Sequence, residues 1–183
     1  MTNVRPTVLV TGGAGFIGSH ACKALAAAGF VPVSYDNLST GHAEAVKWGP
    51  LERGDVQDAE RLTQVLRGCQ AVAVMHFAAS AYVGESVSDP QKYYRNNVGG
   101  MTALLDAMAA TDLKTLVFSS SCATYGEPDT AQIDEDTPQR PINPYGRTKL
   151  ICEDMIRDFH RAHRLDYAIL AISTRLGPIL RAS

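Results

Sequence analysis

Tyr145 and Lys149 stand four residues apart in a stretch that predicts a helix, so their side chains share one helical face. A tyrosine phenol has an ordinary pKa of about 10, and a neighbouring cation lowers such a pKa by about 1–3 units. Ser121 ends a predicted strand, where its hydroxyl can share a substrate proton and stabilise an alkoxide. The three residues predict acid–base chemistry at a hydroxyl group, although an isolated tyrosine–lysine pair more often lines a helix surface.

A glycine-rich turn near the start of the chain predicts a phosphate-binding loop. Val8–Thr11 is a β-branched run, Gly13-x-Gly15-x-x-Gly18 follows it, and Gly12 supplies a second spacing with Gly15 and Gly18. Glycines let the main chain turn tightly against a pyrophosphate, whose charge is met by the free N–H groups and dipole of a helix N-terminus. Such turns also arise for steric reasons alone, but here a strand precedes the turn and a good helix former follows it.

The position of Asp36 distinguishes between the two nicotinamide cofactors, NAD and NADP. Asp36 follows the predicted strand Val31–Tyr35 and lies 18 residues beyond Gly18. At this position an acid accepts hydrogen bonds from the adenosine ribose hydroxyls and repels the 2′-phosphate of NADP. The predicted cofactor is therefore NAD. Without the glycine loop, Asp36 would be interpreted as a turn former ahead of Asn37.

The order of elements predicts the fold class. Strand-like and helix-like stretches alternate along the whole chain, without an internal repeat or a low-complexity segment. We therefore expect an α/β fold with a doubly wound parallel sheet, Rossmann-like, with helices on both sides. The predicted strands are Val8–Thr11, Val31–Tyr35, Leu51–Val56, Ala71–Ala78, Thr115–Ser121 and a strand that begins at Asp166. The predicted helices are Ile17–Ala28, Asp58–Arg67, Asp89–Ala110 and Tyr145–Arg164.

Composition excludes several classes of partner. The chain has 183 residues, 45% of them hydrophobic, with a formal net charge of −2. It therefore has no basic field to attract nucleic acid or an anionic membrane surface. It contains no apolar run of membrane-spanning length and no signal peptide, so we expect a cytoplasmic protein.

Cysteine and histidine spacing predicts neither a disulfide framework nor a metal site. The cysteines are far apart and form no CxxC pair, so buried free thiols are expected. They are Cys22, Cys69, Cys122 and Cys152. His160-x-x-His163 lacks a third ligand nearby, so a solvated helix surface is the better interpretation.

Eight short motifs occur in order between Val8 and about Leu170. They are Thr11–Gly18, Tyr35–Leu38, Gly54–Val56, His76–Ala79, Val83–Ser86, Tyr93–Val98, Phe118–Ser121 and Tyr145-x-x-x-Lys149. Together they resemble the extended short-chain dehydrogenase/reductases and, within them, the UDP-glucose 4-epimerase family. The resemblance implies tightly held NAD that takes a hydride from C4 of UDP-glucose or UDP-galactose while Tyr145 removes the O4 proton. The 4-keto sugar then turns over in the site and takes the hydride back on its other face.

The same resemblance implies a role for each site residue. Lys149 would hold the nicotinamide ribose and depress the pKa of Tyr145, and Ser121 would bridge the substrate oxygen and the phenol. Tyr145 and Ser121 are thus also the expected substrate contacts, and no metal is implied. The implied cofactor contacts are Gly12, Gly15, Phe16, Ile17, Gly18, Asp36, Asn37, Leu38, Ser39, Thr40, Gly41, Asp55, Val56, Phe77, Ala78, Ala79, Ser80, Ala81, Asn96, Tyr145 and Lys149. One departure is Ala81, where some relatives direct a lysine to the cofactor.

The sequence leaves other functions open. A nucleotide-sugar 4,6-dehydratase would carry an Asp-Glu acid pair directly after Ser121, where this chain has Cys122-Ala123. A UDP-glucuronate decarboxylase or another nucleotide-sugar epimerase is harder to exclude, because the residues that select the C6 substituent lie outside this chain. The chain could also have no enzyme activity and be a truncated module that binds NAD without catalysis.

The last residues depart from the family pattern. Relatives continue the strand after Leu170 with Arg-Tyr-Phe-Asn-Ala-Ala-Gly-Ala-Asp-Pro, whereas this chain has Ala171-Ile-Ser-Thr-Arg-Leu-Gly-Pro-Ile-Leu180. One nucleotide string can encode both in frames one base apart. We therefore expect residues 1–170 to form the NAD-binding domain, residues 171–183 to be a frameshifted tail, and a substrate domain to be missing. For the full-length protein the resemblance implies a homodimer through the helices Asp89–Ala110 and Tyr145–Arg164.

Overall fold

A six-stranded parallel sheet forms the centre of the molecule. The structure is a computed structural model that describes residues 5–128 and 132–172. The strand order is β3-β2-β1-β4-β5-β6, and every neighbouring pair is parallel. The strands are β1 (Thr7–Thr11), β2 (Val31–Asp36), β3 (Leu51–Arg53), β4 (Ala71–His76), β5 (Thr115–Ser121) and β6 (Asp166–Ile172). This order reverses direction between β1 and β4, which confirms the predicted doubly wound sheet and places its ligand crevice at their carboxyl ends.

In residues 5–128 and 132–172, six helices and two 3₁₀ turns connect the strands. The helices are α1 (Phe16–Ala27), α2 (Ala59–Cys69), α3 (Val83–Ser88), α4 (Pro90–Tyr93), α5 (Gly100–Ala110) and α6 (Pro144–His163). The 3₁₀ turns are Ala43–Ala45 and Cys122–Thr124, and a π-helical segment, Tyr94–Gly99, joins α4 to α5. No helix in the described part of the chain has the length and apolar composition needed to cross a membrane.

Local sequence explains where the main helices begin. The Asp58 carboxylate accepts a hydrogen bond from the Arg61 N–H at 2.9 Å, and this cap starts α2. Asn143 does the same for Gly146 at 2.8 Å and starts α6, with Pro144 at the first helical position. The buried face of α2 is apolar, whereas the buried face of α6 also carries polar and charged side chains, among them Thr148, Lys149 and Glu153.

The sheet buries two separate apolar cores, one on each face. The larger core joins α2, α5 and α6 to one face through residues such as Leu62, Leu104 and Ile156. The smaller core lies under α1, where Val8 and Val10 of β1 meet Cys22. Helices thus pack on both faces, as the alternating pattern predicts.

The predicted helix Asp89–Ala110 is not one regular α-helix. Asp89 caps α4 by accepting from the Lys92 N–H, but the backbone then passes through the π-helical segment before α5 resumes at Gly100. A Cβ on Gly100 would lie 2.6 Å from a methyl carbon of Val56. Gly100 therefore permits close packing within this chain, as expected for a glycine that weakens a helix.

The last strand extends past the predicted domain boundary. β6 pairs with β5 along its whole length, and its final residues Ala171 and Ile172 align with Ser120 and Ser121. Most of β6 is exposed, including two large apolar side chains, Tyr167 at 38% and Leu170 at 45%. The rest of the predicted frameshifted tail, residues 173–183, lies outside the described residues.

Candidate active site

The glycine loop links β1 to α1 at the centre of the carboxyl edge. Gly12 adopts a φ of +73°, which favours glycine, and its N–H donates to the Tyr35 carbonyl at 2.8 Å. Gly15 caps α1 through its backbone alone, and the first turn of this helix contains no acidic side chain. The N–H groups and the positive dipole end of α1 are therefore available to an anion.

Three of the glycines are packed too closely for a side chain, and the fourth is open. A Cβ on Gly12 would lie 2.6 Å from the Ala78 nitrogen, and one on Gly13 would lie 2.6 Å from the Ser34 hydroxyl oxygen. A Cβ on Gly18 would collide with the Gly12 carbonyl. Gly15 meets only that same carbonyl, at 3.2 Å, so its outer side is free. The loop is thus folded tightly onto the protein while presenting bare backbone outward, which fits a pyrophosphate.

Asp36, the predicted ribose contact, is hydrogen-bonded to the glycine loop. Its carboxylate accepts from the Ala14 N–H at 3.0 Å and from the Leu38 N–H at 2.8 Å. The second of these bonds is the turn interaction that the alternative interpretation predicts, and Leu38 there has a φ of +60°. Each carboxylate oxygen keeps a further lone pair, so these bonds leave acceptor capacity for a ribose hydroxyl.

Asp55 is held at the same edge, after the end of β3. Its carboxylate accepts from the Asn37 amide at 2.9 Å and from the Gln57 N–H at 2.9 Å. Burial raises the pKa of Asp55, but these hydrogen bonds outweigh it and leave the pKa below its ordinary value. Asp55 is therefore an anion at neutral pH. It pairs with Asn37 beside the buried Val56.

The segment 77–81 follows β4 and is fixed from both sides. The Phe77 N–H donates to the Thr11 carbonyl at 2.9 Å, which ties the segment to β1. Asn97 then accepts from the Ser80 N–H at 2.8 Å and donates to the Ser80 carbonyl at 3.0 Å. Its amide also donates to Thr148 of α6 at 3.1 Å, and Asn96 donates to it at 3.0 Å. One buried amide therefore connects the predicted cofactor segment to the helix that carries Tyr145 and Lys149.

The structure brings Tyr145 and Ser121 together. Ser121 is the last residue of β5, and its hydroxyl accepts from the Ala123 N–H at 3.2 Å. Tyr145 lies in the first turn of α6, with its phenol near enough to the Ser121 hydroxyl for that group to lower the pKa of Tyr145. Its ring meets that of Tyr93 edge-on, with centroids 6.4 Å apart. The structure thus places close together the phenol and the hydroxyl for which the sequence predicts acid–base chemistry.

Lys149 lies behind this pair rather than on the phenol oxygen. Its ammonium donates to the Ser119 carbonyl at 2.8 Å and sits 4.8 Å from the centroid of the Phe118 ring. It is 6.0 Å from the centroid of the Tyr145 ring, and the residue is only 3% exposed. Burial lowers the pKa of Lys149 to about 8, so the ammonium is still charged at pH 7.

The pKa of Tyr145 differs from the expectation. The sequence predicts that Lys149 depresses it, but burial raises the pKa of Tyr145, and the hydrogen bond with Ser121 lowers it only in part. The physical reason is distance, because the ammonium donates to the carbonyl of Ser119, which lies two residues before Ser121 on β5. Desolvation of the phenolate therefore outweighs the attraction of the cation.

Two of the site's central residues could not be identified from the sequence. His76 ends β4 fully inside the protein, where its Nδ1 hydrogen-bonds the Thr11 hydroxyl at 2.6 Å and its ring stacks on Phe118. Burial, with the Lys149 charge, lowers the pKa of His76 to about 3, so it is neutral at physiological pH. Asn97 is the other. Its only signal in the sequence is an amide side chain in the middle of a predicted helix, and the burial that makes it important appears only in the structure. Neither residue is exposed to a ligand, and both join β1, β4 and α6 into one site.

The comparisons with known proteins agree with this geometry. The model of the NAD dependent epimerase/dehydratase family matches residues 8–182. A UDP-glucose 4-epimerase of Rhizobium meliloti is 57% identical over 152 residues, which are 83% of this chain and 46% of that protein. UDP-arabinose 4-epimerase 1 of Arabidopsis thaliana is 45% identical over 93% of this chain and 43% of its own length.

The chain is also similar to solved structures of UDP-sugar 4-epimerases. The structure of UDP-glucose 4-epimerase from Brucella ovis in complex with NAD shares 58% sequence identity and a TM-score of 0.89. The match covers 91% of this chain and 51% of that one. The chain thus spans about half the length of the relatives it matches. On the extent of the family match and the level of identity, the chain belongs to the NAD dependent epimerase/dehydratase family.

Proposed function

We propose that this chain is the cofactor-binding and acid–base half of a UDP-glucose 4-epimerase, which interconverts UDP-galactose and UDP-glucose through bound NAD. The observation that carries the proposal is the convergence of Ser121 and Tyr145, backed by Lys149, at the same sheet edge as an open glycine loop. The relatives that support the substrate are UDP-glucose 4-epimerases of 57% and 58% identity. The chain by itself is proposed to bind NAD without a useful epimerase rate.

The residues at the edge fit NAD in charge and shape. The backbone at Gly15 and the N-terminus of α1 suit the pyrophosphate, and the residual acceptor capacity of Asp36 suits a ribose diol. The segment 77–81 packs against Gly12 through the backbone of Phe77 and Ala78, and the small side chains of residues 78–81 leave room for a flat group. Bound NAD would supply a reversible hydride acceptor for C4 of the sugar.

The chain's own part of the chemistry is the movement of one proton. Tyr145 acts as the phenolate, takes the proton from the sugar O4 to become the phenol and later returns it, and Ser121 holds the same sugar oxygen by a hydrogen bond. Lys149 contributes a positive charge beside the phenol, and its pKa of about 8 keeps that charge in place at pH 7. Since burial alone raises the pKa of Tyr145, activation of the phenol is a property that we assign to the complete site.

Two measurements on the 183-residue chain test the proposal. Calorimetric titration should show that NAD binds at least about tenfold more tightly than NADP, a difference of about 1.4 kcal/mol, because Asp36 repels a 2′-phosphate. The ratio of the two affinities is insensitive to partial unfolding, which weakens both equally. Equal affinities would show that Asp36 serves the turn alone. Incubation of the chain with UDP-galactose should give no useful conversion to UDP-glucose. A normal epimerase rate would contradict the proposal that the chain alone is inactive.

The acid–base assignment is tested in a protein of the family's full length. Tyr145→Phe should lower the epimerase rate by about 10²–10⁴-fold with NAD still bound, because only the proton-carrying oxygen is lost. Tyr94→Phe is the matched control, since Tyr94 is 41% exposed and loses the same oxygen outside the site. A near-normal rate in Tyr145→Phe would remove Tyr145 from the chemistry.

A second candidate is another UDP-sugar 4-epimerase. The specific observation in its favour is the 45% identity to a UDP-arabinose 4-epimerase over almost the same part of the chain. The groups that read the sugar's C6 substituent are expected in the half of the family's length that this chain does not span. Assay of the full-length protein with UDP-galactose and UDP-arabinose side by side would separate the two.

Three further expectations remain proposals. We expect a homodimer of the full-length protein through α5 and α6, which sedimentation at micromolar concentration would contradict by showing monomer alone. Because Gly100 already packs on Val56, only Gly99 is free to favour such an approach. A cytoplasmic location and the frameshift after Leu170 rest on the sequence, and sequencing of the gene tests the latter.

A further inference from the structure

Glu153 is a buried carboxylate one helical turn beyond Lys149 that the proposed chemistry does not use. Only 2% of the residue is exposed. One carboxylate oxygen accepts from the Ser120 hydroxyl at 2.5 Å, and the other accepts from the Gln139 amide at 2.9 Å and from Arg157 at 2.9 Å. Three donors from three different segments therefore hold it, which is a strong restraint for a group on a helix face.

Tyr145, Lys149 and Glu153 follow one another at intervals of four residues along α6. They lie on the face that packs against the end of β5, because Lys149 contacts Ser119 and Glu153 contacts Ser120. Side chains four residues apart on a helix are neighbours, with about 5–6 Å between their Cβ atoms. Glu153 therefore follows Tyr145 and Lys149 on the same face of α6, one turn beyond Lys149.

The surroundings of Lys149 contain no other close carboxylate among the groups that the structure places around it. From β5 it meets the Ser119 carbonyl and the Phe118 ring, and from β4 the neutral His76. On its own helix, the remaining titratable neighbours are Tyr145 and the buried thiol of Cys152, whose pKa burial raises to about 12. Both are uncharged at pH 7, so the anion near this buried cation is Glu153.

The ion pair with Arg157 does not remove this influence. The Arg157 side chain is 36% exposed and also pairs with Asp154, whose side chain is 65% exposed. Solvent therefore screens part of the guanidinium charge, whereas Glu153 and Lys149 are both buried, at 2% and 3% exposure, one helical turn apart. Burial lowers the pKa of Lys149, and Cys152 and then Glu153 raise it by smaller amounts; of these two groups, only Glu153 carries a full charge at pH 7.

We propose that Glu153 is a positioning residue: it supplies the buried counter-charge that keeps Lys149 a cation, and through Ser120 it aligns α6 with the strand end that carries Ser121. Its meaning for catalysis rests on the proposed function, but the electrostatic claim concerns this chain alone. Loss of NAD binding or of epimerase activity would therefore refute the function without touching this proposal.

The test is an NMR titration of the 183-residue chain labelled with [¹³C]lysine. The Lys149 signal is assigned by its loss in Lys149→Met, and its midpoint is expected near pH 8. Glu153→Gln keeps the shape of the side chain and removes the charge, so the midpoint should fall by about one unit. Asp154→Asn is the matched control, because it removes the same charge from the neighbouring, exposed partner of Arg157 and should leave the midpoint in place.

Each outcome decides the question. A fall in Glu153→Gln with no change in Asp154→Asn supports the counter-charge, and equal falls or no fall in either variant overturns it. If circular dichroism shows that Glu153→Gln does not fold, Arg157→Gln serves instead. That variant frees Glu153 from its exposed partner, so the Lys149 midpoint should rise. An unchanged midpoint in Arg157→Gln would mean that Glu153 serves only the surface ion pair.

Discussion

Replacement of Gly12 by alanine tests whether the glycine loop is held by its contacts or only by its backbone angles. Gly12 combines a φ of +73° with a neighbouring backbone so close that a Cβ would lie 2.6 Å from the Ala78 nitrogen and 2.8 Å from the Phe77 carbonyl carbon. The left-handed backbone alone costs an alanine about 1–2 kcal/mol. The contact must add to this, because main-chain atoms of a parallel strand connection cannot move aside as a flexible side chain can.

The chain contains two glycines that separate these effects. Gly29 has a φ of +88°, but a Cβ added there would have no atom within 4 Å, so Gly29→Ala measures the backbone strain alone. Gly68 lies in α2 with the same free space and no left-handed angle, so Gly68→Ala should stabilise the protein by about 1 kcal/mol through helix propensity. We expect Gly12→Ala to lose about 3 kcal/mol or more, and Gly29→Ala about 1–2 kcal/mol.

Urea unfolding of the three variants measures these differences directly, provided that all transitions have the same slope. NAD titration of the folded variants adds a second readout, since Gly12→Ala should weaken binding while the two controls leave it unchanged. A loss of stability in Gly12→Ala no larger than that in Gly29→Ala would refute the reasoning. It would mean that the segment 77–81 yields to the methyl group and that the loop is not a rigid cradle.

Three further predictions concern groups at or near the site. Because the pKa of His76 is about 3 in the fold and about 6.5 in an unfolded chain, unfolding takes up a proton, and stability should fall by about 2 kcal/mol from pH 7 to pH 5. Urea unfolding at both pH values checks this, and His76→Gln should remove most of the slope. Asp58→Ala should lose about 1 kcal/mol with the cap on Arg61, whereas Asp58→Asn should lose little. Asn97→Leu should lose about 2–3 kcal/mol and speed hydrogen exchange at the Ser80 amide, and unchanged exchange would contradict the clamp.

The alternation of strands and helices could be predicted because each element carries its own signal. Thr115–Ser121 is found with the predicted bounds, and Asp58 begins α2 where its capping chemistry indicates. The helix predicted to end at Arg67 continues through Gly68 to Cys69, and the left-handed Gln70 ends it. The π-helical segment Tyr94–Gly99 had no signal at all, because it is fixed by what Asn97 binds and not by local propensity.

In the candidate site, too, some features could be predicted from the sequence and others could not. The positions of Tyr145, Lys149 and Ser121 on their elements follow from spacing, and so does their meeting at one sheet edge. The direction of the pKa shift on Tyr145 does not, because it depends on where the Lys149 ammonium points and on how much water the fold removes. Sequence spacing limits which groups can meet, whereas their protonation is decided by burial.

The position of β1 in the sheet has a consequence for the chain as it is being made. β1 pairs with β2, which follows it closely, but its other neighbour is β4, which begins only at Ala71. At about 5–20 residues per second, the second edge of β1 has no partner for about 3–12 seconds of synthesis. Thr7–Thr11 is an uncharged, β-branched stretch, the kind of open edge that pairs with other chains. Newly made protein is therefore most prone to aggregate in the interval that ends when β4 emerges and closes the centre of the sheet.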